Sequence, residues 1–257
     1  MTIPINEIIC GDNVETMKAF PDDCIDLVVT SPPYDNLRTY GGHSWDFEGV
    51  AQQLWRVIKP GGVVVWVVAD ATIDGSETGT SFRQALRFME IGFRLHDTMI
   101  WHKTNALPLN ANRYESAFEF MFVLSKDKPK NFNPITENAI YGGCMSGGSQ
   151  INADGSRVRK FGYKKPIGAV KVRQNVWPTV VGTGSADGAH PAAFPEKLAR
   201  DHILSWSNEG DIVLDPFSGS GTTAKMAKLM GRRYIGIEIN PEYCEIAAER
   251  LRQGVLF

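Results

Sequence analysis

Two short segments, far apart in the chain, carry residue types suited to chemistry at an amino nitrogen. Thr30-Ser31-Pro32-Pro33-Tyr34 and Asp215-Pro216-Phe217-Ser218-Gly219-Ser220-Gly221-Thr222 each follow an apolar run that reads as a buried strand. In the first segment, Ser31 offers a hydroxyl and Pro32 a carbonyl, which could accept the hydrogens of an amino group, while the Tyr34 ring could stack on a base. A proline turn with a buried tyrosine would carry the same residues, so this segment alone leaves both interpretations open.

The second segment has the features of a nucleotide-type binding loop. Glycines directly after a strand let the backbone turn tightly and approach a ligand, and the start of the following helix presents free N–H groups. Glu238 ends the next strand about 20 residues further on, where an acid commonly binds ribose hydroxyls. The structural alternative is a glycine-rich turn followed by a surface glutamate. The spacing of Glu238 from the loop disfavours that alternative.

Taken together, the two segments resemble those of the DNA amino-methyltransferases, which methylate the amino group of adenine or cytosine. The signatures of that family are (Asp/Asn/Ser)-Pro-Pro-(Tyr/Phe) and an acidic-containing Phe-x-Gly-x-Gly, and both occur here after predicted strands. The Pro-Pro motif precedes the glycine loop, as in the permuted β-group of the family, whereas protein-glutamine relatives place it afterwards. The resemblance covers residues 5–40 and 190–250 well and is loose between them.

The resemblance implies S-adenosylmethionine as the methyl donor, S-adenosylhomocysteine as the product, and no metal. By position, Asp12 matches the acid that contacts the adenine ring of the cofactor, although Gly-Asp is also an ordinary turn. Phe194 matches the residue beside the methionine part, with a core phenylalanine as the equal alternative. The expected catalytic residues are Ser31, Pro32, Pro33 and Tyr34, and the expected cofactor-binding residues are Asp12, Phe194, Asp215, Phe217, Gly219, Gly221, Thr222 and Glu238.

The target amino group lies inside a duplex, so the base must be flipped out before direct methyl transfer. Ser31, where adenine-specific relatives more often carry Asp, favours N4 of cytosine, and N6 of adenine is the alternative. An RNA-directed enzyme and a catalytically silent DNA-binding protein on the same scaffold stay open. Methylation of a cytosine ring carbon is disfavoured because it needs a Pro-Cys nucleophile, and the sequence contains no Pro-Cys pair.

A basic stretch in the middle of the chain is typical of nucleic-acid contact. Between Cys144 and Asn175 there are seven basic residues and one acid, Asp154, although the whole chain has a net charge of −2. The stretch matches the place of the target-recognition region in permuted relatives, and a solvated face is the alternative. A loop from Asp35 to Trp45 could close over a flipped base or simply connect two elements. The expected DNA-binding residues are Arg38, Arg157, Arg159, Lys160, Lys164, Lys165, Lys171 and Arg173.

Composition and element order predict the fold. With 257 residues, 43% of them hydrophobic, the chain can bury a large core. Strands alternate with helices, which predicts an α/β fold with a mostly parallel sheet and helices on both faces. The resemblance implies that this is the Rossmann-like methyltransferase fold with a seven-stranded sheet and a circularly permuted motif order. The expected divisions are 1–130 for the catalytic half, 131–188 for an inserted target-recognition region, and 189–257 for the cofactor-binding half.

The cellular setting follows from simpler features. Four scattered cysteines match neither a zinc site nor a disulfide framework, and no apolar run reaches membrane-spanning length. We therefore expect a cytoplasmic protein with no membrane association. The resemblance implies a prokaryotic or phage origin and double-stranded DNA as the partner. A homodimer and a cognate restriction endonuclease, as in restriction-modification systems, are further possible partners.

Overall fold

The computed structural model describes residues 3–34, 45–105, 112–180 and 195–252. The chain forms two compact units, one made of Met1–Asn133 with Asn175–Phe257 and the other of Pro134–Gln174. The first unit holds the large sheet and the helices, and the second holds two small antiparallel sheets. The strands of the described residues are, in chain order, β1 (Glu7–Cys10), β2 (Ile25–Thr30), β3 (Ile58–Val68), β4 (Thr72–Ile73), β5 (Ser76–Glu77), β6 (Arg94–Lys103), β7 (Phe118–Ser125), β8 (Thr136–Asn138), β9 (Met145–Ile151), β10 (Arg157–Pro166), β11 (Val170–Val172), β12 (Val176–Thr179), β13 (Ile212–Asp215) and β14 (Arg233–Glu238).

The helices lie in two groups that cover the large sheet. The first three contact one another in sequence order, and so do the last three. In β3, Val64 and Trp66 pack into the core beneath the first group, whereas Val65 and Val67 are buried outside that cluster, as expected when successive side chains point to opposite faces. The helices are α1 (Asn13–Lys18), α2 (Phe47–Val57), α3 (Thr80–Ile91), α4 (Glu196–Trp206), α5 (Thr222–Leu229) and α6 (Pro241–Arg252).

The large sheet has the order β1-β14-β13-β2-β3-β7-β6-β12, in which β7 is antiparallel to both neighbours and the other pairs are parallel. The predicted Rossmann-like class is thus confirmed, but the sheet has eight strands among the described residues and not seven. The additional strand, β12, pairs with β6 in a register that sets Trp177 beside Trp101. This strand falls inside the range predicted to be an insertion, 131–188, yet it belongs to the main sheet.

Two regions hold more regular structure than their sequences indicate. The apolar pattern predicts a third strand that begins at Val63, but the strand starts at Ile58, because Gly61 adopts φ +81° and lets the chain continue past Pro60. The sequence predicts little regular structure from about Lys126 to Gly188, yet this segment contains β8 to β11 in two antiparallel pairs. Strands such as β8, exposed along its whole length, show no apolar alternation that a sequence pattern could reveal.

Candidate functional site

Four strands of the first unit end at one edge of the sheet, and the predicted site residues follow them. Because β1, β14, β13 and β2 are neighbours and parallel, their carboxyl ends lie side by side, which is where α/β proteins place ligands. Asp12 follows β1, Ser31 follows β2, and Asp215 and Glu238 end β13 and β14. The topology therefore brings the two predicted segments, together with Asp12 and Glu238, to one edge of the sheet.

A buried hydrogen bond joins the Pro-Pro segment to the glycine loop. Thr30 Oγ1 donates to Asp215 Oδ1 at 2.7 Å, and both residues are almost inaccessible to solvent. A second link runs from Thr223 Oγ1 to the carbonyl of Val29 at 3.2 Å. These bonds fix the start of the Ser31-Pro32-Pro33-Tyr34 segment relative to the first turn of α5.

The glycine loop makes a tight turn into α5. Gly219 and Gly221 have φ values of +49° and +79°, which L side chains rarely adopt, and the Gly221 N–H donates to the Ser218 carbonyl at 2.8 Å. A Cβ on Gly221 would lie 2.9 Å from the Cβ of Ala247 on α6. Thr222, the first residue of α5, is 6% exposed. Only glycine fits at position 221 without movement of the loop or the neighbouring helix.

Glu238 closes the other side of the loop. Its Oε2 accepts the Gly219 N–H at 2.8 Å and its Oε1 accepts the Asn240 N–H at 2.9 Å. Each carboxylate oxygen keeps a further lone pair that could accept a ligand hydroxyl. Ser218 Oγ is buried against Gly236 of β14 and makes no hydrogen bond within the part of the chain that the structure describes.

Asp12 lies at the same edge through the pairing of β1 with β14. The register sets Cys10 beside Glu238, and Gly11 N donates to the Glu238 carbonyl at 2.9 Å. Asp12 is the N-cap of α1 and accepts the Glu15 N–H at 2.9 Å, which holds its carboxylate near the start of that helix. Its neighbour Asn13 donates to the carbonyl of Pro216 in the glycine loop at 3.1 Å.

Burial raises the pKa of Asp215 from 3.8 to about 6. The hydrogen bonds from Thr30 Oγ1 and the Phe217 N–H oppose that shift, and the Glu238 charge adds to it. Desolvation dominates because the side chain lies between β2 and β13 with little contact with water. At neutral pH the site therefore carries a carboxylate that is held in its charged form mainly by these hydrogen bonds.

Phe217 belongs to an aromatic cluster that the sequence did not reveal. Its ring lies edge-on to Trp45 at a centroid distance of 4.9 Å and is 6.2 Å from Trp66 on β3. Trp66 Nε1 donates to Gln84 Oε1 on α3 at 2.9 Å, which fixes the indole. The sequence identifies Trp45 only as the end of a loop, because its contact with Phe217 depends on tertiary packing.

Tyr34 takes part in a chain of polar contacts with two residues that sequence reasoning missed. Its hydroxyl lies 2.8 Å from Ser31 Oγ and donates to Glu119 Oε2 at 2.7 Å. Glu119 Oε1 in turn lies 2.5 Å from Lys103 Nζ. A single acid inside the apolar run Phe118–Ser125 was the available signal, since charged residues are seldom fully buried without a partner. Pro32 is buried and Pro33 half-buried beside this chain of contacts.

Two predicted site residues, Arg38 and Phe194, lie outside the described residues, as does most of the loop expected to close over a base. The other basic candidates lie in the second unit. Arg157 is exposed at the start of β10, which pairs with β9, and Lys171 forms an ion pair with Glu137 at 3.0 Å. Arg173 is half-buried at the end of β11, where its N–H donates to the Ile135 carbonyl. The backbone places the remaining candidates in β10, namely Arg159, Lys160, Lys164 and Lys165.

Among the described residues, no three His, Cys, Asp or Glu side chains are grouped in a way that could hold a metal ion. In the same residues, no helix combines the length and apolar character needed to cross a membrane.

Comparison with known proteins gives a consistent result. Residues 25–249 match the N6_N4_Mtase family model, described as DNA methylase. The orphan methyltransferase M.BamHII of Bacillus amyloliquefaciens is 55% identical over 251 residues, covering 93% of this chain and 94% of that protein. The crystal structure of an M1.HpyAVI–SAM complex is 25% identical with a TM-score of 0.65, covering 96% and 98% of the two chains. The cytosine-N4-specific PvuII DNA methyltransferase shares the fold, with a TM-score of 0.70 at 23% identity over 97% of this chain and 87% of that one.

Proposed function

Because the chain belongs to the N6/N4 family of DNA methylases, we propose that it methylates N4 of cytosine in duplex DNA. The activity of this enzyme is S-adenosylmethionine-dependent methylation of an exocyclic amino group in DNA. The proposal concerns which base is methylated. The observation that supports methyl transfer at this site is the 2.7 Å hydrogen bond between Thr30 and Asp215. This bond fixes the Ser31 segment beside the glycine loop.

The residues at the sheet edge suit S-adenosylmethionine. Glu238 has lone pairs left for ribose hydroxyls, since each of its oxygens accepts only one hydrogen bond from the described backbone. The carboxylates of Asp12, Asp215 and Glu238 give this edge negative charge, which favours a cationic sulfonium. We expect Asp12, Phe217, Gly219, Gly221 and Glu238 to contact the cofactor and Thr222 to begin the helix beneath it.

When bound, S-adenosylmethionine supplies an electrophilic methyl group on a positively charged sulfur. The amino nitrogen would form the new bond to the methyl carbon while the carbon–sulfur bond breaks, with the electron pair of that bond kept by the sulfur of S-adenosylhomocysteine. The nitrogen would lose one of its two protons to solvent water. No covalent intermediate with the protein is needed, so the contribution of the chain is positioning and stabilisation of charge.

Ser31, Pro32 and Tyr34 are proposed to hold the flipped base. The Ser31 hydroxyl oxygen and the Pro32 carbonyl accept hydrogen bonds from the amino group, which withdraws its lone pair from conjugation with the ring and directs it at the methyl carbon. The Tyr34 ring provides the stacking surface, and its hydroxyl contact with Ser31 keeps the two side chains in register.

The first experiment measures transfer of labelled methyl from S-adenosylmethionine to duplex DNA and to RNA of the same sequence. We expect transfer to DNA, and Ser31→Ala should lower kcat by about a hundredfold or more, as when a group that stabilises transition-state charge is removed. Ser76→Ala, an exposed serine in the β4–β5 hairpin, is the control and should match the wild type. An undiminished rate in Ser31→Ala would place the reaction elsewhere in the molecule.

The base is identified by digesting methylated DNA to nucleosides and analysing the product by mass spectrometry. We expect N4-methylcytosine because the neutral Ser31 replaces the Asp more common in adenine-specific relatives. N6-methyladenine would overturn the cytosine proposal while leaving the family assignment intact.

The second unit is proposed to bind DNA. Pro134–Gln174 contains seven basic residues against two acids, Glu137 and Asp154, in a chain whose total net charge is −2. A positively charged unit of this kind suits contact with phosphates, which would set affinity but not sequence preference. A homodimer and a cognate restriction endonuclease stay proposals, tested by light scattering of the purified protein and by the genes that flank its own.

A further inference from the structure

We propose that Glu119, held by Lys103, fixes the direction of the hydrogen bonds at Ser31, and thereby makes the Ser31 oxygen an acceptor for the amino group of the target base. Glu119 is then a positioning residue that acts through Tyr34 and does not itself touch the base. This inference rests on the proposed function, because it assigns Ser31 the accepting role required there.

The contacts form a continuous chain from the sheet interior to the site. Ser31 Oγ and the Tyr34 hydroxyl are 2.8 Å apart, the Tyr34 hydroxyl and Glu119 Oε2 are 2.7 Å apart, and Glu119 Oε1 and Lys103 Nζ are 2.5 Å apart. The Glu119 side chain is 8% exposed and that of Lys103 is 24% exposed. Lys103 also lies 5.2 Å from the centre of the Trp101 ring, which further confines the ammonium.

The topology explains how these residues meet. Because β7 is antiparallel to β3 and β6, its first residues lie at the edge where the parallel strands end. Glu119, the second residue of β7, therefore lies beside the site, and Lys103 ends β6 at the same edge. A buried acid in an otherwise apolar strand costs stability unless it is paired, and here it is paired on both oxygens.

The chemistry of the groups fixes which atom donates in each contact. A carboxylate beside an ammonium only accepts hydrogen bonds, so the Tyr34 hydroxyl must donate its single proton to Glu119. The Tyr34 oxygen then acts as the acceptor in its contact with Ser31, and the Ser31 hydroxyl must donate. With its proton directed at Tyr34, Ser31 Oγ presents only lone pairs to its remaining neighbours, which is the arrangement that an amino N–H requires.

Glu119→Gln keeps the size of the side chain and reverses this direction. The Lys103 ammonium can only donate, so the amide oxygen of the new side chain should face it and the amide NH₂ should face Tyr34. The Tyr34 proton would then turn to Ser31, and the Ser31 proton would turn toward the base. We expect kcat for methyl transfer to fall about tenfold or more, with the KM for S-adenosylmethionine unchanged. Glu90→Gln, an exposed acid on α3, is the matched control and should keep the wild-type rate.

A double-mutant cycle separates this effect from a general structural one. Tyr34→Phe removes the hydroxyl that connects Glu119 to Ser31, and it should keep measurable activity because Phe is accepted in the family signature. In the Tyr34→Phe background, Glu119→Gln should change kcat by less than about twofold. An equal loss in both backgrounds would show that Glu119 acts independently of the Tyr34 hydroxyl, and no loss in the wild-type background would show that the direction is irrelevant. Either result overturns the inference.

A neutron crystal structure of the wild-type protein tests the direction without any turnover. We expect the Ser31 hydroxyl deuterium on the line toward Tyr34 and the Tyr34 deuterium on the line toward Glu119. A Tyr34 deuterium directed at Ser31 would refute the inference even if methyl transfer is observed. Conversely, absence of methyl transfer in the wild type would refute the proposed function while this observation still decides the hydrogen-bond direction.

Discussion

Thr30 Oγ1 donates a 2.7 Å hydrogen bond to Asp215 Oδ1 across the buried contact between β2 and β13. Neither residue needs to touch a substrate for this bond to matter, since Thr30 immediately precedes Ser31 and Asp215 immediately precedes the glycine loop. This buried hydrogen bond thus joins the segment proposed to hold the base to the loop proposed to hold the cofactor.

Thr30→Val should destabilise the protein and weaken cofactor binding. Valine has the shape of threonine but cannot donate, so the buried Asp215 carboxylate would lose one of the hydrogen bonds that oppose its desolvation. We expect the free energy of unfolding to fall by about 1–3 kcal/mol in urea titrations, together with a weaker Kd for S-adenosylmethionine by calorimetry. Thr136→Val, an exposed threonine on β8, should change the stability by less than about 0.5 kcal/mol. Equal stability of the two variants would show that the buried bond contributes nothing.

Gly221→Ala and Gly210→Ala form a matched pair. Both glycines have a left-handed φ, +79° and +83°, so alanine should cost each variant about 1 kcal/mol of stability. Only at Gly221 would the added Cβ also meet Ala247, at 2.9 Å, whereas nothing lies within 4 Å at Gly210. We expect Gly221→Ala to lose at least about tenfold in affinity for S-adenosylmethionine by calorimetry, because the loop must shift. Gly210→Ala should bind normally, and a similar loss in both would trace the effect to general instability.

Acid should destabilise the fold through His202. This side chain is fully buried, stacked on Trp177 at 4.6 Å, and burial lowers its pKa from 6.5 to about 3. Below pH 6.5, His202 is therefore protonated in the unfolded chain but stays neutral in the folded chain. The free energy of unfolding consequently decreases as the pH falls toward 3. At pH 5 this loss is about 2 kcal/mol relative to pH 8. His202→Phe should remove that part of the acid dependence in urea titrations; an unchanged pH profile would contradict the buried neutral state.

Asp215 should act in the opposite direction over part of the same range. Its pKa is raised to about 6, so below pH 6 the folded chain takes up a proton that the unfolded chain does not hold until about pH 3.8. The free energy of unfolding therefore gains about 1 kcal/mol at pH 5 from this group, and the gain is lost as the pH rises through 6. Asp215→Asn should make the protein lose stability more steeply with acid than the wild type does. The same slope in both proteins would show that Asp215 titrates normally.

Basic residues of the second unit should control the salt dependence of DNA binding. Arg157 is exposed, and Arg159 and Lys160 follow it in β10. Replacing these three with Gln should weaken binding to unrelated duplexes alike and reduce the slope of log K against log salt by about one for each phosphate that the protein no longer neutralises. Arg94→Gln, at the opposite end of β6 from Lys103, is the control and should leave the slope unchanged. An unaltered slope in the triple variant would remove this unit from the DNA interface.

The sequence predicted helices and strands that a local hydrophobic pattern defines. It did not predict contacts between distant residues that depend on how the strands pair. The apolar runs ending at Thr30 and Asp215 are strands because they are buried on both faces, and a nearly continuous hydrophobic pattern predicts that. The meeting of Tyr34 with Glu119 could not be predicted in this way, since the two residues are 85 positions apart and come together only because β7 runs antiparallel to β3. The sequence did not predict the edge strand β12 for a related reason. Its partner, β6, is distant in sequence, because the whole second unit lies between the two strands in the chain.

The pairing of β1 with β14 has a consequence for synthesis on the ribosome. The register joins Glu7 to Ile235, so β1, although it is synthesised before the other strands described here, can enter the sheet only after β14 has been synthesised. At roughly 5–20 residues per second, that delay is on the order of ten seconds or more. During this delay Glu238 is not yet beside Asp12. A ligand that contacts both residues therefore cannot stabilise the growing polypeptide. Folding of this edge is therefore late relative to the synthesis of β1, because it depends on the last of the described strands.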